Sequence, residues 1–118
     1  MVISELEVTQ ESDRPEPEIA KGCPLDRLLR LLSGEWTTHI LWVLSTNGPT
    51  RHGELRRLIG GISSKVLTER LRMLEGQGIV FRHYEPTVPP KVTYGLTETG
   101  RQIDHALRAL HDVAQRWR

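Results

Sequence analysis

The sequence predicts a small, mainly α-helical domain carrying one β-hairpin. Three observations predict it. Apolar residues recur at helical spacing from Leu25 to Leu74, the period changes to two between Ile79 and Leu96 around a Pro89-Pro90 break, and a helical period returns after Thr97. At 118 residues the chain is long enough for one core and too short for two.

The first 21 residues read as a flexible acidic tail outside the fold. Pro15 and Pro17 break any helix there, and six acids stand against Arg14 in residues 1–20, a net charge of −5. Residues 21–118 carry 15 basic and 9 acidic side chains, a net +6 that the overall +1 conceals. Such a body can attract phosphate without requiring it. The tail lacks the apolar run of a signal peptide, and no run approaches the roughly 18 apolar residues of a membrane span. One cysteine allows no disulfide within the chain and completes none of the usual zinc spacings. The expected compartment is the cytoplasm, with no membrane partner.

Pro24 suits the first turn of a helix, where its missing N–H would be unpaired anyway, and Leu25, Leu28, Leu29 and Leu32 follow at helical spacing until Ser33-Gly34. A second helix begins near Glu35, places Trp36, Ile40, Val43 and Leu44 on one side, and stops at Asn47-Gly48-Pro49. A third spans about 52–59, with Leu55, Leu58 and Ile59 inward and Arg56 and Arg57 outward. Gly60-Gly61 turns the chain. Ser63 is a good N-cap for a fourth helix running to Glu75, stopped by Gly76 and Gly78. Ile79, Phe81 and His83 then alternate with Val80, Arg82 and Tyr84, and Val92, Tyr94 and Leu96 form a second alternating run, so the two make a hairpin. Thr97 caps the last helix, where Ile103, Leu107, Leu110, Ala114 and Trp117 fall at spacings of 4, 3, 4 and 3. That seam covers about two heptads and needs a second element to pack on.

Four helices, a hairpin and a helix make a winged helix-turn-helix arrangement with an added helix at each end. In that arrangement one helix enters the major groove, its predecessor braces it across the backbone, and the wing reaches adjacent phosphates or the minor groove. Opposite Leu67, Leu71 and Leu74, the fourth helix turns Lys65, Thr68, Glu69 and Arg72 outward, with Ser64 at its start. Arg72 and Lys65 suit guanine edges or phosphates, Thr68 can donate to either or touch a thymine methyl, and Glu69 can accept from cytosine. Arg56, Arg57, Arg82 and Lys91 are placed for phosphates, which orient a protein without reading sequence. Arg70, beside the buried arc, is expected to reach a carboxylate such as Glu54. A charged outer face is also what any solvated helix presents, and winged domains also serve as protein-interaction modules. The alternative to a DNA reader is such a module.

From Cys23 onward the residues resemble the HxlR-type, MarR-like branch of bacterial winged-helix transcriptional regulators. The resemblance runs through Cys23-Pro24-Leu25, Gly34-Glu35-Trp36, Ile40-Leu41, Glu54-Leu55-Arg56-Arg57, Gly61-Ile62-Ser63, Leu67-Thr68, Arg70-Leu71, Leu74-Glu75 and Gly78-Ile79-Val80. It closes through Val88-Pro89-Pro90, Val92, Tyr94, Leu96-Thr97 and Gly100. It implies that residues 22–118 form one DNA-binding and dimerisation domain, a homodimer that represses or activates nearby genes by reading a pseudo-palindromic operator with helix 63–75 and wing 84–94. Dimer contacts are then expected from the first and last helices: Leu25, Leu28, Leu32, Ile103, Leu107, Leu110, Ala114 and Trp117. The chain departs from the family pattern at two places. His52-Gly53 replaces an aromatic and a polar residue, which predicts a looser start to the bracing helix, and Glu35 replaces a lysine, which removes a phosphate contact.

Cys23 lies at the N-cap of the first helix, where the helix dipole favours a reactive thiolate, and the resemblance implies a candidate sensor, since some members of this family sense oxidants or electrophiles through a cysteine in this region. Cys23 is therefore a candidate redox sensor, against the plainer reading of a packed, unreactive Cys-Pro opening. His39, His52, His83, His105 and His111 make no tight ligand pair on one helical turn, so neither metal nor cofactor is expected. No nucleophile elbow, phosphate loop or metalloprotease signature occurs, which argues against catalysis. Trp36, Trp42 and Trp117 read as core or interface, and a small-molecule or oxidant effector near the dimer seam is left open.

Overall fold

The computed structural model describes residues 23–117, so the expected acidic tail, 1–21, lies outside the described residues. The chain divides between Gly34 and Glu35 into two units, taken here separately.

In the first unit, α1 (Pro24–Leu32) starts with proline in its first turn, and Ser33 closes it by donating its N–H to the Leu29 carbonyl at 2.9 Å. Asp26 and Arg30, one turn apart, pair at 2.9 Å. None of its residues is buried: Leu25 and Leu29 are exposed, and Leu28 and Leu32 are half-buried.

In the second unit the order is α2 (Thr37–Asn47), β1 (Thr50–Arg51), α3 (His52–Ile59), α4 (Ser64–Gly76), β2 (Val80–Glu85), β3 (Lys91–Leu96) and α5 (Glu98–Arg116). The core is built by Ile40, Leu41 and Leu44 of α2, Leu55 of α3, Leu67, Leu71 and Leu74 of α4, and Ile62, Ile79, Val80, Leu96 and Ile103 around them. Each such buried aliphatic side chain supplies about 1.5–3 kcal/mol of hydrophobic driving force.

Two expectations are corrected here and a third is extended. Helix α2 starts at Thr37, not Glu35, because Trp36 adopts a left-handed φ of 73° and serves as the N-cap. Its buried face is consequently Thr37, Ile40, Leu41 and Leu44, while Trp36 and Val43 are only half-buried. On α3 only Leu55 is buried; Leu58 is exposed and Ile59 half-buried, since both border a cavity described below. The hairpin is part of a three-stranded antiparallel sheet, β1-β3-β2, in which Thr50 pairs with Tyr94 and Arg51 with Thr93. A two-residue strand carries no detectable alternation, so β1 is invisible to periodicity.

The expected elements otherwise appear with bounds shifted by a residue or so. Ser63 caps α4, its Oγ accepting from the Val66 N–H at 3.1 Å. Gly60 and Gly61, with φ of 75° and 78°, supply the left-handed turn into α4 that residues with a Cβ adopt only under strain. The wing pairs Val80 with Leu96 through to Glu85 with Lys91, and Val88 at its tip is fully exposed. Thr97 caps α5 by accepting from the Gly100 N–H at 3.0 Å, while its hydroxyl donates to the Gly78 carbonyl at 2.6 Å. A single threonine thus joins the start of α5 to the root of the wing.

Candidate nucleic-acid interface

Helix α4 presents two chemically opposite faces. Leu67, Leu71 and Leu74 are at most 1% exposed, whereas Ser64, Lys65, Glu69 and Arg72 are exposed. Lys65 and Glu69 stand 4.0 Å apart, a loose surface pair of little energy, and Arg72 has no ion pair among the described residues. Thr68 differs from its neighbours. It is half-buried on the flank of α4, and its Oγ1 lies 3.0 Å from Nε2 of His52 at the head of α3. The start of α3, expected to be loose, is therefore tied to α4 by a hydrogen bond.

The bracing helix carries two arginines with different duties. Arg56 Nε donates to the Ile62 carbonyl at 3.0 Å and so holds the turn between α3 and α4. Arg57 forms a bidentate pair with Glu54, with Nε 3.0 Å from Oε1. The Arg57 hydrogen bond outweighs the opposing desolvation and holds the Glu54 carboxyl below its ordinary value; Glu54 raises Arg57 in return. Glu54 was expected to serve Arg70. Instead Arg70 Nε donates to the backbone carbonyl of Glu35 at 2.9 Å, because Glu54 is occupied one turn away on its own helix. On the wing, Arg82 is exposed with its guanidinium 6.0 Å from the Tyr84 ring, and Lys91 is half-buried opposite Glu85. Helices α3 and α4 and the wing all belong to the unit that begins at Glu35.

The residues expected at the dimer seam separate. Ile103 is 8% exposed and belongs to the core of its own chain, and Leu107 is half-buried. Leu110 is 57% and Trp117 77% exposed, Ala114 is exposed, and Trp117 stands just past the end of α5 as its C-cap. Val113, also exposed, joins this apolar surface, and its place three residues after Leu110 made it readable from spacing. Leu25, Leu28 and Leu32 lie on α1 with no buried neighbour among the residues of that helix.

A polar knot between α2 and α5 escaped the sequence. Asp104, 9% exposed, accepts from Ser45 Oγ at 2.6 Å and from Arg108 Nε at 3.0 Å, and the Arg108 guanidinium stacks 4.8 Å above Trp42. Asp104 and Arg108 at i,i+4 were legible as a pair, but Ser45, 59 residues away, was not. Beside the knot, Trp42, Val43, Leu58, Ile59, Leu107 and His111 line a largely apolar cavity of about 370 Å³. Cys23 is a free thiol, half-buried, at the N-cap of α1. No group of three metal-ligating side chains occurs among the described residues, and none of their helices is long and apolar enough to cross a membrane.

A capped helix with a polar outer arc, a bracing helix before it and a hairpin wing after it define a winged helix-turn-helix transcriptional regulator. The comparisons agree at the level of family: residues 31–118 match the HxlR-like helix-turn-helix model. The chain is 38% identical over 110 residues to the HTH-type transcriptional regulator sll1512 of Synechocystis, covering 93% of this chain and 81% of that protein. Among solved structures it resembles a MarR-family regulator from Enterococcus faecalis (TM-score 0.75, 34% identity, 82% of this chain and 87% of that one). It is also similar to YodB from Bacillus subtilis, solved in diamide-treated form (TM-score 0.70, 36% identity, 82% and 96%) and in reduced form (TM-score 0.73, 36% identity, 80% and 93%). The chain belongs to the HxlR-like helix-turn-helix family, and the relatives named above are transcriptional regulators.

Proposed function

We propose that the protein acts as a cytoplasmic homodimer that recognises a pseudo-palindromic operator, with α4 in the major groove and the wing, 84–94, against the neighbouring backbone or minor groove. The carrying observation is the outer arc of α4. Ser64, Lys65, Glu69 and Arg72 are exposed opposite a fully buried leucine stripe, so they are free to meet base edges while the helix stays anchored. Arg56, Arg57, Arg82 and Lys91 supply phosphate contacts in this reading. Dimer contacts come from Leu25, Leu28 and Leu32 on α1, and from Leu107, Leu110, Ala114 and Trp117 on α5. Ile103 drops out because its own core uses it.

The test is footprinting and titration on the DNA flanking the gene. Lys65→Ala and Arg72→Ala should lose operator binding while remaining dimeric, and each lost phosphate contact should flatten log K against log salt by about 0.9. Unchanged affinity in both variants contradicts the assignment of α4, and binding no tighter than to random duplex favours the protein-interaction module.

Regulation by an oxidant or electrophile at Cys23 is an elaboration of the same reading, supported by the free thiol at the head of α1 and by the likeness to YodB, a regulator solved both reduced and diamide-treated. Oxidant should change operator affinity of the native chain and leave Cys23→Ser unaffected; equal responses in the two rule the elaboration out. The cavity beside Trp42 offers space for a small apolar effector.

A further inference from the structure

We propose that His52 is a specificity-determining positioning residue, which sets the hydrogen-bonding polarity of Thr68 toward DNA. The inference rests on the reading of α4 as the recognition helix. Ser64, Thr68 and Arg72 follow one another at successive turns and so lie on one stripe, with exposed residues on both sides of Thr68 in that stripe. Thr68 alone among them is half-buried, and it is held by a side chain from another helix: His52 Nε2 lies 3.0 Å from Oγ1, 16 residues away in sequence.

A threonine hydroxyl has one proton and two acceptor lone pairs. Left free, it rotates and serves a donor or an acceptor on the base equally well. The bond to His52 narrows that choice. When Nε2 is unprotonated it accepts the Thr68 proton, and the hydroxyl offers DNA only lone pairs, matching the amino groups of adenine or cytosine. When Nε2 carries a proton it donates, and the hydroxyl keeps its own proton for an acceptor such as guanine O6 or N7, or thymine O4. With Nε2 as acceptor Thr68 presents a single polarity; with Nε2 as donor the hydroxyl keeps its proton and one lone pair, and the bond acts by fixing where they point. The hydrogen bond also spans α3 and α4, so it fixes the side chain's position in both forms. His52 touches no base itself.

The experiment uses the full chain and a pool of randomised duplexes, from which the preferred sequence of the native protein is selected and sequenced. Affinities of His52→Phe, His52→Gln, Thr68→Val and the double variant His52→Phe/Thr68→Val are then measured on that duplex, on its single-base-pair substitutions and on a random duplex. His52→Phe should lose roughly three- to tenfold of discrimination at one base pair, mirrored in the two half-sites, the scale of one neutral hydrogen bond. Thr68→Val should lose it at the same pair, and the double variant should lose no more than Thr68→Val alone. His52→Gln, which retains a group able to bond the hydroxyl, should keep most of the native profile. A His52→Phe profile identical to the native one, an equal loss on every duplex, or a loss at a different pair from Thr68→Val overturns the proposal. Should His52→Phe fail to fold by circular dichroism, a Thr68→Val variant without any position-specific loss overturns it alone. A native protein that selects no preferred duplex defeats the operator reading itself, an outcome distinct from a native preference that His52 leaves unchanged.

Discussion

At Gly100 a methyl group would collide with the backbone carbonyl oxygen of Ile79, while at Gly95 it would meet the Phe81 ring. The obstacles differ in kind. A carbonyl at the root of the wing cannot move without shifting β2, whereas Phe81 is 37% exposed and can swing aside. Gly100→Ala should therefore cost about 1–3 kcal/mol, lowering the thermal midpoint by several degrees, and Gly95→Ala appreciably less. Equal losses in thermal melts would show that the close approach of α5 to the wing is not what Gly100 provides. Both glycines are visible in the sequence, but the reason for each is a distance between segments far apart in the chain. Thr37 makes a related point: its hydroxyl is fully buried with no hydrogen-bond partner among the described residues, and nothing in its local sequence predicts that.

Among the elements, α3 is the one whose charges the structure reassigns. Glu54 and Arg57 neutralise one another on its surface. The Glu54 carboxyl is held below its ordinary value, so the pairing is complete above the usual carboxylate range and is lost only as pH falls through that lowered value. At neutral pH Arg57 is thus occupied before any phosphate arrives. Glu54→Gln should free it, tightening DNA binding at low salt and steepening log K against log salt by about 0.9. A slope unchanged in both Glu54→Gln and Arg57→Ala would remove Arg57 from the phosphate contacts. The other elements were legible where local chemistry speaks for itself: Ser63 and Thr97 as caps, Pro24 in a first turn, Gly60-Gly61 as a break. Local chemistry misled at Trp36, whose helical spacing suggested an inward position in α2. Its left-handed backbone makes it the cap, and its ring lies 5.5 Å from that of His39 and against Gly61, where an added methyl would sit 3.6 Å away.

At the scale of the whole molecule, the proposed dimer turns on surfaces that the single chain leaves uncovered. Leu110 is 57% exposed and contributes little to the fold of its own chain, so Leu110→Glu should leave the thermal midpoint nearly unchanged while shifting sedimentation from dimer to monomer. Operator affinity should fall more than tenfold with it, since two half-sites about 34 Å apart would no longer be held together. A dimer that survives this change places the seam elsewhere than on α5. The heptad spacing by itself could not have separated Ile103 from Leu110. Both satisfy the same periodicity, and only the packing of α2 and β3 against α5 assigns the first to the core and leaves the second outside.

The sequence alone was enough to determine the class of the protein, the order of its helices and wing, and the face of α4 that points outward. Those properties follow from periodicities of 3.6 and 2 and from caps that act within a few residues. Tertiary structure decided what depends on contacts between distant residues. His52 meets Thr68 across 16 positions, Arg70 meets the Glu35 carbonyl across 35, and Ser45 meets Asp104 across 59. A side chain's hydrogen-bond partner is set by which elements pack together, and local pattern carries no record of that choice.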